Sequence, residues 1–184
     1  STDFESFCVF CSLLDAVKIF DPQYISAQID YPYGLAFTKV KMREVQYADR
    51  FGCKNIDVVI NHYYLENLLE SKLLNEIDSI KKIAKKSNIR LIVDYRLFDT
   101  LRINFFGGIC NKVGIDTVIV GTGNFVEDPI DNIIMAKNLE KKFNLYCITT
   151  GVIRNKDDFQ ALKEYELFGV RVCSLSIFNL ILGV

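Results

Sequence analysis

The sequence predicts an α/β fold in which parallel strands alternate with helices. Three observations carry that reading. Seven short apolar runs recur along the chain, segments with helical spacing separate them, and no Pro/Gly/Ser-rich stretch interrupts the alternation. Strand, helix and strand in regular succession require crossover connections, and therefore parallel pairing. The chain has 184 residues, 50% of them hydrophobic and 24% charged, which suits one ordered domain over residues 1–184.

The strand runs are, in order, Phe7 to Cys11, Tyr24 to Ile29, Ile56 to Ile60, Arg90 to Asp94, Thr117 to Gly121, Asn144 to Thr149 and Val170 to Ser174. Each is mostly apolar without strict alternation, the pattern of strands covered on both faces. Between the third and fourth, Leu65, Leu68, Leu69, Leu73, Ile77, Ile80 and Ala84 step by three or four residues. Lys72, Glu76, Lys81 and Lys85 take the opposite side, so this segment reads as an amphipathic helix. Asp128 ahead of Pro129, and Asn155 with Asp158 three residues on, are helix start signals. Gly52 after Phe51 and Gly169 after Phe168 are stop signals.

Two architectures fit this succession: an open doubly wound sheet and a closed eightfold barrel. A complete barrel takes about 250 residues, and roughly 200 is near the floor. Seven runs leave no room for an eighth unit ahead of Phe7. A barrel built from this chain therefore lacks its first strand.

Composition narrows the function classes. Lys and Arg total 22 against 23 Asp and Glu, a formal charge of −1. No basic nucleic-acid groove is expected from that balance. No apolar run reaches the roughly 18–20 residues of a membrane span, so no membrane partner is expected either. Six cysteines fall below disulfide-scaffold density and no signal-peptide pattern opens the chain, so the protein reads as cytoplasmic with reduced thiols. Cys8-Val9-Phe10-Cys11 has the spacing of a redox or zinc knuckle. Redox reactivity of that type needs a cysteine at a helix N-terminus, whereas Cys8 falls in mid-strand with no second pair or histidine beside it. These thiols read as structural, and neither a metal nor a cofactor is expected.

Read in order, the segments resemble the deoxyribose-phosphate aldolase family. Phe7-Cys8-Val9-Phe10 is similar to that family's second strand, and Tyr31-Pro32-Tyr33-Gly34 to its Phe-Pro-His-Gly turn after the third. Ile56-Asp57-Val58-Val59-Ile60-Asn61 is close to the fourth-strand motif. Gly114-Ile115-Asp116 precedes a strand ending Gly121-Thr122-Gly123, where the family has Ser-Thr-Gly. Gly151-Val152-Ile153-Arg154 resembles the Gly-Gly-Ile/Val-Arg after the seventh strand, and Asp157-Asp158-Phe159-Gln160 continues its register. The resemblance implies a (β/α) TIM-type barrel of the class I aldolase kind, with any site at the C-terminal ends of its strands.

What the resemblance implies for chemistry is a Schiff base between a lysine and an aldehyde. That reaction needs an amine with a lowered pKa, which a second lysine nearby provides by like-charge repulsion. An aspartate shuttles protons, and its position corresponds to Asp57. The nucleophilic lysine corresponds to Ile119 and the helper lysine to Ile148, and neither strand carries a lysine elsewhere. Lys54 comes nearest but precedes a strand, at the opposite mouth. Of the implied phosphate cradle, Thr122, Gly123, Gly151 and Ser176 remain, while Val152 and Leu175 replace a glycine and a serine. The bulk of a β-branched residue opposes close approach of a phosphate.

Other polar residues allow competing readings. Asp57 in an apolar strand needs a partner, with Arg96 or Tyr95 as candidates. Asp94 and Arg96 depart from the family pattern at a strand end and form either a new polar site or an ion pair filling vacated space. His62 is the sole histidine, a general-base candidate whose plainer reading is a loop residue. Lys81, Lys82, Lys85 and Lys86 suit a solvated helix end. The resulting expectation is an aldolase-like protein without catalysis, acting structurally or in regulation as a homo-oligomer or hetero-complex subunit. An active lyase and a protein binding a small phosphorylated sugar are the alternatives.

Overall fold

In a computed structural model, residues 4–124, 129–150 and 164–172 are described, together with the single positions 157 and 179. Seven strands form one sheet in sequential order: β1 (Phe7–Phe10), β2 (Ile25–Ile29), β3 (Asn55–Val59), β4 (Asn88–Val93), β5 (Thr117–Val120), β6 (Tyr146–Thr150) and β7 (Gly169–Arg171). Every neighbouring pair is parallel. Helices α1 (Thr38–Phe51), α2 (His62–Glu66), α3 (Glu70–Ile83), α4 (Thr100–Val113) and α5 (Pro129–Phe143) lie between strands. The sheet curls on itself, because Arg171 of β7 reaches Asp57 of β3 and Tyr31, after β2, reaches the Thr122 carbonyl, after β5. The architecture is an incomplete (β/α) barrel. Among the described residues β1 and β7 each have one strand neighbour.

Strand side chains alternate between two faces. Ile25, Ala27, Ile29, Ile56, Val58, Leu91, Val93, Val118, Val120 and Cys147 join the main core against the helices. The intervening positions face the barrel interior, which changes character along its axis. Toward the strand N-termini it is polar, with Ser26, Asn55, Asp57 and Arg90 all buried. Toward the C-termini it is a separate apolar cluster of Val59, Ile92, Ile119 and Ile148, with Tyr31 packed against it. Buried strands therefore read as continuous apolar runs even though the two faces differ.

Several sequence expectations are corrected. The periodic segment from Leu65 splits into α2 and α3, because Leu68 has a left-handed backbone with φ 53°. Glu76, placed on the polar side by periodicity, is 2% exposed. Gly169 opens β7 rather than capping a helix. Gly52 does cap α1, with φ 95°. Gly34 shows why the Tyr31-Pro32-Tyr33-Gly34 turn ends as it does: it has φ 68°, and a Cβ there would lie 1.9 Å from the Ile60 carbonyl oxygen. The capping residues Asp128 and Asn155 lie outside the described residues.

Candidate functional site

Asp57 sits at the centre of β3 with 0% exposure, so its charge must be compensated locally. Arg90, its register partner on β4, clamps it with Nε 2.6 Å from Oδ1 and Nη2 3.0 Å from Oδ2. Arg171 Nη2 donates to the same Oδ2. The expected partners Arg96 and Tyr95 are thus replaced by Arg90 and Arg171. Period-two alternation puts Arg90 on the face that carries Asp57, whereas Arg96 follows the strand's end. Burial pulls against the Arg90 guanidinium's charge, but the Asp57 carboxylate more than offsets it and holds the group above its ordinary pKa. The Cys8 thiol lies 3.9 Å from Asp57 Oδ2.

One layer closer to the strand C-termini, Ile119 and Ile148 face each other across β5 and β6 as register partners. Both belong to the interior apolar cluster, at 0% and 7% exposure. The buried lysine of the described residues, Lys41, lies on α1. Its Nζ donates to Glu76 Oε1 and to the Val59 carbonyl, both at 2.9 Å, and is 3.4 Å from Asp30 Oδ2. Glu76 also accepts from the Thr38 hydroxyl. This network braces α1 and α3 against the end of β3 outside the barrel interior. Sequence reasoning missed it because an amphipathic pattern assigns Lys41 and Glu76 to solvent.

Beyond β4, the Asp94 carboxylate caps the turn Tyr95–Leu97, accepting from the Arg96 N–H at 3.4 Å. It also accepts a hydrogen bond from the Thr122 hydroxyl. Asp94 therefore meets Arg96 through that residue's backbone N–H. Thr122 spends its hydroxyl on Asp94 and also accepts from the Asn124 N–H at 3.3 Å. Gly123 follows with φ 74°. Gly151 and Ser176 lie outside the described residues. His62 is not a loop residue: it is the first residue of α2, after the Asn61 cap, and is 8% exposed. Its ring meets Phe98 edge-on at 5.3 Å. Burial pushes its pKa down to about 4, against an opposing pull from Asp94. Nε2 has no hydrogen-bond partner among the described residues.

Among the described residues, no three His, Cys, Asp or Glu side chains converge as a metal site, and no helix is long and apolar enough to cross a membrane. A sequentially ordered parallel sheet, curled and flanked by helices, defines a partial (β/α) TIM-type barrel scaffold. No protein-family model matches the chain. It is 26% identical over 141 residues to the deoxyribose-phosphate aldolase of Mycoplasmopsis synoviae, covering 76% of this chain and 63% of that one. With the deoxyribose-phosphate aldolase of Ureaplasma urealyticum it shares 27% identity over 166 residues, 86% of this chain and 75% of the other. The structure of the aldolase QR15 superposes with a TM-score of 0.80 at 20% identity, covering 90% of this chain and 76% of that one. The chain is thus similar in sequence to deoxyribose-phosphate aldolases, and it spans 63% and 75% of the length of these two proteins.

Proposed function

We propose that the chain is a deoxyribose-phosphate-aldolase-like protein that keeps the scaffold without Schiff-base chemistry, and acts structurally or in regulation within an assembly. The carrying observation is the interior cluster: the two positions where the resemblance implies lysines, Ile119 and Ile148, pack with Val59 and Ile92. A branched alkyl group offers no electron pair to a carbonyl carbon. Lys41 does not substitute, since its ammonium is committed to Glu76 and the Val59 carbonyl on the helical side. Asp57, the implied proton shuttle, is saturated by two guanidinium groups. Retained anion capture by Thr122 is disfavoured by the carboxylate its hydroxyl already serves.

The assembly role is supported by the sheet's margin. Among the described residues β1 has strand pairing on one side only, and Phe4, Phe7, Phe20 and Tyr24 cluster beside it, each more than a third exposed. Unpaired edges of this kind are ordinarily covered.

Incubation with acetaldehyde and borohydride, followed by intact-mass measurement, tests the chemical half. No mass shift is expected; a reduced adduct on a lysine, or cleavage of deoxyribose 5-phosphate, overturns it in favour of an active lyase. Light scattering tests the other half, with a stable monomer that captures no partner as the adverse result. Thermal stabilisation by a phosphorylated sugar would favour the binding-protein reading.

A further inference from the structure

The N-terminal mouth of the barrel, opposite the end where the aldolase resemblance places its chemistry, holds a cavity of about 480 Å³. That volume lies in the range of small-molecule sites. It opens between the first residues of β3, β4 and β5 and the C-terminal ends of α3 and α4. Asn55, Asn88, Arg90 and Thr117 line the strand side. The carbonyls ending α4 are already engaged, because Lys81 Nζ donates to Val113 and Gly114.

One carboxylate enters this mouth from outside the sheet. Glu5 precedes β1 on a stretch without regular structure. It accepts from Arg90 Nη1 and Asn55 Nδ2, each at 3.2 Å, and lies 3.7 Å from Lys54 Nζ. The donors and the acceptor differ in kind. Arg90 is a sheet residue with a side chain only 6% exposed, clamped in place by Asp57, whereas the Glu5 side chain is 47% exposed. A solvent-reachable anion resting on fixed, buried donors is the geometry of a bound ligand.

Charge favours the same reading. Arg90 and Arg171 share a single internal carboxylate, Asp57, and Lys54 adds a third cation at the rim, 3.7 Å from Glu5. Arg171 is 9% exposed and its Nη1 has no hydrogen-bond partner among the described residues, so donor capacity there exceeds what Asp57 absorbs. The nearby acidic residue Asp116 has its Oδ1 engaged by the Thr117 hydroxyl.

We propose that this mouth is an oxyanion-binding site for the carboxylate or phosphate head of a small molecule, and that Glu5 is a tethered occupant that holds it closed. A free anion enters as Glu5 swings out, its head on Arg90, Asn55 and Lys54 and its remainder in the cavity. The proposal is independent of whether aldolase chemistry survives at the other mouth.

The test compares wild type with Glu5→Ala by titration calorimetry and thermal shift, using inorganic phosphate and sodium acetate at constant ionic strength set with chloride. A tethered carboxylate competes at millimolar effective concentration, so removing it raises affinity for at least one anion by about tenfold. Adding Lys54→Met to Glu5→Ala lowers that affinity several-fold, since it deletes one of the three donors at an exposed position. A response to acetate alone assigns a carboxylate head, and a response to phosphate alone a phosphate head. Equal affinities in wild type and Glu5→Ala, or no saturable response to either anion, overturn the proposal. Glu5→Gln, which keeps the side-chain volume, serves as the second variant should Glu5→Ala not fold; the same absence of a gain in affinity counts against the site.

Discussion

Ile119 and Ile148 are register partners on adjacent strands, and their side chains meet inside the barrel in one cluster with Val59 and Ile92. These branched side chains fill that part of the interior with hydrocarbon, so positions 119 and 148 contribute packing.

That packing can be probed by introducing charge. Ile119→Lys places an ammonium among branched alkyl groups, and its pKa falls because burial disfavours the charged form. The folded pKa then lies below the unfolded value of about 10.4. The penalty therefore grows as pH drops from that value and is relieved above it. At pH 7 the expected loss is about 3–5 kcal/mol in urea denaturation, with part recovered at pH 10. An unchanged midpoint at pH 7 would mean that position 119 is not enclosed.

Asp57 makes the opposite case, a charge whose removal is costly. Asp57→Asn leaves Arg90 and Arg171 buried against each other without their shared carboxylate. Breaking one member of a buried ion cluster costs about 3–5 kcal/mol. Glu5→Gln, at a half-exposed pair with the same Arg90, costs at most about 1 kcal/mol. Equilibrium unfolding of the two variants should separate them clearly, and similar losses would contradict the burial difference.

Lys41 and Glu76 provide a coupled pair. Lys41→Met leaves Glu76 buried at 2% exposure without its cation, at a cost of about 3–5 kcal/mol. Lys41→Met with Glu76→Leu removes both charges and should cost less than the single variants added together, by roughly 1–3 kcal/mol. A double-mutant cycle in urea reads this directly; strict additivity would dissolve the pair.

The parts of the fold that could be read from sequence are those fixed by continuous apolar runs. β1 to β7 coincide with the seven predicted runs to within about two residues at most ends, because a strand buried on both faces announces itself in composition. The split at Leu68 could not be read, since the apolar spacing continues through it while the backbone turns left-handed. The inward-facing isoleucines were legible through motif order alone. The ion clusters were not: Asp57 demanded a partner, but choosing Arg90 required knowing which face each strand presents. Glu76 and Lys41 each fit a solvated helix face until α1 and α3 are packed together. Glu5 lies ahead of the first strand, where no periodicity marks its contact with Arg90.

His62 gives the pH dependence its sign. It is the one histidine of the chain, so a single imidazole signal reports on it in a proton NMR titration of untagged protein. Burial against Phe98 keeps the ring neutral and lowers its pKa from 6.5 to about 4. The native state therefore binds fewer protons than the unfolded chain between these values. The contribution to stability is intact above about 6.5 and is lost as pH falls toward 4, to a limit of about 3 kcal/mol. Glu44 works against this trend: burial, with help from Asp30, raises its pKa, so it takes up a proton more readily in the folded state. The comparison that isolates the histidine is wild type against His62→Phe, which replaces the imidazole with an apolar ring beside Phe98. Between pH 6.5 and 4 the wild type should lose stability faster than the variant. A titration midpoint near the ordinary 6.5, or parallel pH profiles, would show that the ring is open to solvent and would remove it as the acid-sensitive group at this mouth.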